Sequence, residues 1–95
     1  MKVTTLGALV ALSMFSGCGT LGGDRTVVRG AGPDEMLKLR AGPGLGFRVV
    51  LGLPDGTELI RRDCVTEASQ RWCRVSLTDA PAVSGYVSAD YIATP

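Results

Sequence analysis

The residues of this chain whose type and position could do defined chemistry are three cysteines, Cys18, Cys64 and Cys73. A thiol can act as a nucleophile, ligate a metal, carry a lipid or pair with a second thiol. The chain has no histidine, so no imidazole is present to activate a thiolate. A zinc site takes about four N, S or O ligands and would have to be built from thiols and carboxylates alone. Asp55, Asp63, Glu67, Asp79 and Asp90 are dispersed through turns and strand ends, where acids commonly cap and solvate. The Gly-x-Ser-x-Gly elbow of a serine hydrolase is missing, and Gly42, Gly44 and Gly46 are not followed by the Lys-Ser/Thr of a phosphate loop. The expectation is a non-catalytic protein, with no catalytic residues, no metal and no cofactor.

The segments around the cysteines indicate where they work. Met1-Lys2 is followed by an apolar run from Val3 to Ser16, shorter than the roughly 20 residues a spanning helix needs. A charged start, an apolar middle and a small-residue end at Ser16-Gly17 fit a secretory signal peptide over residues 1–17. Phe15-Ser16-Gly17-Cys18 resembles the lipobox of bacterial lipoproteins, with Phe15 at a position where leucine is usual. That resemblance implies cleavage before Cys18 and a lipid on its thiol, an anchor worth about 0.8 kcal/mol per buried CH₂; an ordinary signal peptide, or an uncleaved anchor, with an incidental cysteine is the alternative. Gly19 rather than aspartate after the cysteine implies delivery to the periplasmic face of the outer membrane or the cell surface. With Cys18 assigned to lipid, Cys64 and Cys73 remain as a pair in an oxidising compartment, where a disulfide is expected. Two buried free thiols or half a metal site are the alternatives. Loss of Lys2 with the leader leaves nine basic against nine acidic residues. A neutral domain lacks the excess positive charge with which nucleic-acid-binding proteins neutralise phosphates.

Residues 18–35, with glycines at 19, 22, 23, 30 and 32 and Pro33, read as a flexible tether in which Thr26-Val27-Val28 could form only an isolated strand. The domain then occupies residues 36–95. Leu37 and Leu39 alternate with Lys38 and Arg40, the pattern of a half-buried strand. A glycine-rich loop over 42–46 leads to a strand over 47–53. Pro54-Asp55-Gly56 is a turn with proline suited to its first central position. Further strands are expected over 57–64, 71–77 and 85–88, with loops at 65–70 and 78–84. Ala89-Asp90-Tyr91 reads as one helical turn before a last short strand at Ile92. No helical period persists for more than a turn. The expected class is all-β, a small five-stranded barrel with a short 3-10 turn before its last strand.

Four pieces of this layout, in order, resemble the bacterial Src-homology-3 (SH3b) family. Leu37-Lys38-Leu39-Arg40-Ala41-Gly42-Pro43-Gly44 is similar to its opening motif. Leu53-Pro54-Asp55-Gly56-Thr57 is similar to its Leu-Pro-x-Gly-Thr turn, and Trp72-Cys73-Arg74-Val75 to its Trp-x-x-Val. Gly85-Tyr86-Val87-Ser88-Ala89-Asp90-Tyr91-Ile92 is similar to its closing Gly-Trp-Val-x-x-x-Tyr-Leu. The resemblance implies an SH3-like barrel that binds cell-wall peptide or peptidoglycan. Recruitment of another envelope protein, or regulation of a cell-wall hydrolase, is the alternative. Ser88 stands where eukaryotic relatives carry a groove proline, so recognition of PxxP peptides is not implied, and Arg61 stands where a core aliphatic is usual. The expected ligand residues are Trp72, Tyr91, Phe47 and Arg40, on a monomer. Alternation places Trp72 opposite Cys73, Val75 and Leu77, leaving either an exposed ring for a ligand or a ring turned into the core by barrel twist. Tyr86 is expected to replace a core tryptophan, and Arg40 is read first as a solvated surface residue and only second as a holder of a carboxylate.

Overall fold

The computed structural model describes residues 23–95; Cys18 and the leader expected over 1–17 lie outside them. The described residues form an all-β unit of seven strands: β1 (Asp24–Val28), β2 (Leu37–Arg40), β3 (Val49–Leu53), β4 (Glu58–Glu67), β5 (Gln70–Leu77), β6 (Ser84–Ser88) and β7 (Ile92–Ala93). They hydrogen-bond as one antiparallel sheet in the order β3-β2-β6-β5-β4-β1-β7. The sheet curls into a half-barrel, with β3 and β7 at its two edges. The single turn of 3-10 helix at Ala89–Tyr91 precedes β7, as the sequence led us to expect.

The strand count exceeds the five expected, and β1 is a substantive correction. Its residues fall in the stretch read as tether, yet Asp24 to Val27 pair with Arg61 to Glu58, and Val27 and Val28 pair with Ala93 and Ile92. Thr26 and Val28 alternate inward and are buried. A β-branched triplet between glycines is enough for a strand when a partner on each side supplies the hydrogen bonds. The folded unit therefore begins at β1 rather than near Met36. Arg61 is accommodated by the same pairing: half-buried, it forms an ion pair with Asp24 and points a guanidinium nitrogen at Cys64 Sγ, 3.6 Å away.

The core lies on the concave face, where Val28, Leu37, Leu39, Leu53, Leu59, Val75 and Val87 form one buried cluster. The alternation seen in Leu37-Lys38-Leu39 and in Cys73-Arg74-Val75 is the two-residue period of strands with one face buried. Tyr86 differs from expectation. It is half-buried, and its neighbour Val87, fully buried, is the residue that enters the core.

Two turns also differ. The 65–70 segment is not a loop: β4 and β5 pair through Glu67↔Gln70, joined by Ala68 and Ser69 with φ of 50° and 67°. Positive φ at both central residues marks a tight primed hairpin turn, made here without glycine. In the 54–57 turn Thr57 N–H donates to the Pro54 carbonyl at 3.1 Å. Pro54 thus holds the first corner rather than a central position, and Gly56 takes the positive φ of 91°.

Close passage of β2 over β6 requires glycine at position 85. A Cβ there would lie 2.5 Å from the Arg40 carbonyl oxygen and 3.0 Å from Leu39 Cγ. Gly85→Ala is expected to cost about 1–3 kcal/mol through overpacking, seen as a lower urea midpoint at unchanged slope. An unchanged midpoint would mean that β2 lifts away from β6 without penalty.

Candidate functional site

β2, β5, β6, the 3-10 turn, the loop after β1 and Leu45 of the 41–48 loop together line a groove of about 300 Å³. Trp72 from β5, Ser88 from β6, Tyr91 from the 3-10 turn and Lys38 and Arg40 from β2 line it, together with Gly30, Ala31, Glu35 and Met36 of the 29–36 loop. Trp72 pairs in register with Ser88. Its face is opposite that of Cys73 and Val75, as alternation indicated.

Of the two alternatives, the exposed ring does not hold for Trp72, whose side chain is buried. It stands apart from the core cluster, yet it is only 5% exposed. The side chain is buried and contributes to the lining of the groove. Tyr91, 41% exposed, is the accessible aromatic. Its backbone carbonyl accepts from Arg29 N–H at 2.8 Å, and Gly30, with φ of 87°, passes beside its ring: a Cβ on Gly30 would lie 3.8 Å from Cδ1. Ser88 caps the 3-10 turn by accepting from Asp90 N–H at 3.3 Å, and also accepts from Gln70 Nε2 at 2.9 Å. These bonds fix the turn that carries Tyr91.

Arg40 reaches the groove, but its guanidinium also works locally. Nη1 donates to the carbonyls of Leu45 and Phe47 at 3.2 and 3.0 Å, tying the 41–48 loop to the end of β2. Phe47 is not among the groove residues. Its ring covers Gly42, where a Cβ would sit 2.5 Å from the ring carbons, so Phe47 packs on the glycine loop. Three of the four residues expected to bind ligand are therefore brought together, and Phe47 is set apart.

Sequence reasoning passed over Lys38, Glu35 and Ser88 as groove residues. Lys38 was visible as the polar member of the Leu37-Lys38-Leu39 alternation. The 29–36 loop was concealed by its glycine content, which reads as tether. Its position is set by Asp55, whose two carboxylate oxygens accept from Ala31 N–H at 2.9 Å and Gly32 N–H at 3.2 Å. These bonds hold the loop to the turn between β3 and β4.

Beside this surface, Cys64 and Cys73 form a disulfide across β4 and β5. The tight turn makes the pairing possible, since the register runs unbroken from Glu67↔Gln70 through Thr66↔Arg71 and Val65↔Trp72 to Cys64↔Cys73, and a bulge follows just beyond the bridge. Arg61 faces Val75, but Cys64 faces Cys73, so β4 carries one extra residue between them and the register slips by one. The bulged Asp63 forms an ion pair with Arg74 at 2.8 Å. Its own backbone N–H and the Arg74 side chain hold its carboxyl below the ordinary carboxylate range.

Among the described residues no group of three or more His, Cys, Asp or Glu side chains is placed to hold a metal ion, and no helix is long and apolar enough to cross a membrane. Beside the buried indole the groove offers a phenol with an accessible face, an exposed ammonium and an exposed carboxylate. These groups can stack on, and hydrogen-bond to, an extended ligand carrying both charges. No family model matches the chain, and no curated protein or solved structure matches it.

Proposed function

We propose that this protein is an envelope lipoprotein whose single SH3b-type module binds cell-wall peptide without catalysis. The observation that carries the proposal is the groove in which Trp72, Tyr91, Lys38 and Glu35 converge on one face. The sequence resemblance supports it, since the Trp-x-x-Val and Gly-Tyr-Val-x-x-x-Tyr-Ile pieces supply the floor and rim of that groove. A cell-wall stem peptide is extended and carries free carboxylates and an amine, a fit for Lys38 at one position and Glu35 at another.

Anchoring is proposed through a diacylglycerol on Cys18, after removal of residues 1–17. Because β1 starts at Asp24, only residues 19–23 separate the lipidated cysteine from the sheet, a span of at most about 20 Å. The domain then rides close to the lipid surface, and its reach toward the wall is set by the size of the domain more than by a long tether.

Co-sedimentation with purified peptidoglycan sacculi tests the binding. Wild type is expected in the pellet, and Tyr91→Ala is expected to bind about tenfold more weakly, the loss typical of a central aromatic anchor. Tyr91 suits the test because its exposed ring can be removed without opening the core. Wild-type protein remaining wholly in the supernatant would remove the cell wall as the ligand. It would leave recruitment of another envelope protein as the alternative.

A further inference from the structure

We infer that Arg40 sets the ligand specificity of the groove by taking a free carboxylate of an extended peptide on the Nε–Nη2 edge of its guanidinium. The inference rests on the peptide-binding reading above and names the group on the ligand that the groove selects. Arginine carries five N–H donors in one plane. At Arg40 only Nη1 is committed, donating to the carbonyls of Leu45 at 3.2 Å and Phe47 at 3.0 Å. Two acceptors on one nitrogen fix both the position and the plane of the group. Nε and Nη2 have no protein acceptor among the described residues. Their parallel N–H bonds match the two oxygens of a carboxylate.

The charge of Arg40 is also uncompensated. Arg25, Arg61 and Arg74 each meet a carboxylate, from Glu58, Asp24 and Asp63 respectively. Among the described residues Arg40 meets only neutral carbonyls, which orient it and leave its charge for a ligand. It is half-buried and lines the groove, and partly buried charges are screened less by salt than exposed ones. Lys38, two residues earlier on the same face of β2, adds a second positive charge. Glu35 lines the same groove and is exposed. Its negative charge opposes a dianionic phosphate more strongly than a singly charged carboxylate, and it offers a partner to a ligand amine. Because the guanidinium is held before the ligand arrives, little side-chain freedom is lost on binding. The bonds to the 41–48 loop therefore position the free edge of Arg40.

Calorimetric titration of the full chain with three synthetic stem peptides tests the inference. One has its carboxylates free, one is amidated only at the C-terminal carboxylate, and one is amidated only at the internal carboxylate. At least one amidation is expected to weaken binding to wild type by about tenfold. The amidation whose effect disappears in Arg40→Gln identifies the carboxylate that Arg40 takes. Each comparison is made within one variant, so a loosened 41–48 loop shifts both affinities and leaves their ratio unchanged. A role for Arg40 confined to holding that loop would give Arg40→Gln the wild-type ratio, and this result would overturn the inference. Arg40→Lys, which keeps the charge and loses the fork, decides the matter if Arg40→Gln fails to fold. It is expected to retain only part of the discrimination, and the full wild-type ratio there would overturn the forked contact. Wild type binding all three peptides equally, with Tyr91→Ala weakening all three, would overturn the role of Arg40 and leave the groove as the peptide site. Failure of wild type to bind any of the three would overturn both readings together.

Discussion

Trp72→Ala is expected to cost about 3–5 kcal/mol of folding stability, the usual range for truncating a buried aromatic. Small domains are stable by only about 5–15 kcal/mol in total, so the variant should unfold at a much lower temperature or lose its cooperative transition. The expectation follows from the burial of the residue, which is 5% exposed although it lies outside the main core cluster. Thermal unfolding followed by circular dichroism measures it, and Trp72→Phe should recover most of the loss by keeping an aromatic plane in place. A loss below about 1 kcal/mol, the level of a surface substitution, would show that the indole is free in solution. The same burial makes Trp72→Ala a poor probe of binding, since a lost ligand could not be told from a lost fold.

Removing the disulfide should have the next largest effect. Cys64 and Cys73 are nine residues apart in sequence, and closing a loop of that size in the unfolded chain contributes about 2.7 kcal/mol in the chain-entropy treatment. Replacing both cysteines with alanine should therefore raise the unfolding equilibrium constant about a hundredfold. Urea denaturation of wild type with and without reductant gives the same comparison without mutation. Equal midpoints in the two conditions would mean that the reduced chain keeps the β4–β5 hairpin closed by other means. The tight Ala68-Ser69 turn and the Asp63–Arg74 ion pair are the features able to do so.

Much of this sheet was legible in the sequence, for reasons particular residues show. Leu37-Lys38-Leu39 and Cys73-Arg74-Val75 alternate because each strand has one face in the core. Pro54-Asp55-Gly56 marks a turn because Gly56 alone takes the positive φ without strain. The 3-10 turn at Ala89–Tyr91 was recoverable from a Ser-Ala-Asp cap just before an aromatic. What was not legible depends on long-range pairing. β1 has no periodicity of its own beyond three residues, and its place in the sheet is decided by Arg61 and Ile92, far along the chain. The bulge between Arg61 and Cys64 has no local signature either. The two-residue turn at Ala68-Ser69 sets Cys64 opposite Cys73 in unbroken register, and the one-residue slip falls beyond the bridge, between Cys64 and Arg61.

The groove divides in the same way. Trp72, Tyr91 and Arg40 could be singled out by type and by position at strand ends. Phe47 shared those attributes, but its ring is taken up by Gly42, a contact that depends on how the 41–48 loop closes under Arg40. Glu35 and the 29–36 loop were hidden because a glycine-rich stretch is compatible with a tether and with a loop pinned by one carboxylate. Only the two hydrogen bonds to Asp55 distinguish these possibilities.

Trp72 is the only tryptophan in the chain, and this makes one measurement especially direct. Its fluorescence, followed while soluble cell-wall stem peptide is titrated into the folded protein, reports on the floor of the groove and on nothing else. Saturable quenching or a spectral shift is expected for wild type, together with a weaker, right-shifted curve for Tyr91→Ala. A peptide that binds by calorimetry while the Trp72 emission stays unchanged, or one that does not bind at all, would contradict the assignment of this groove as the ligand site.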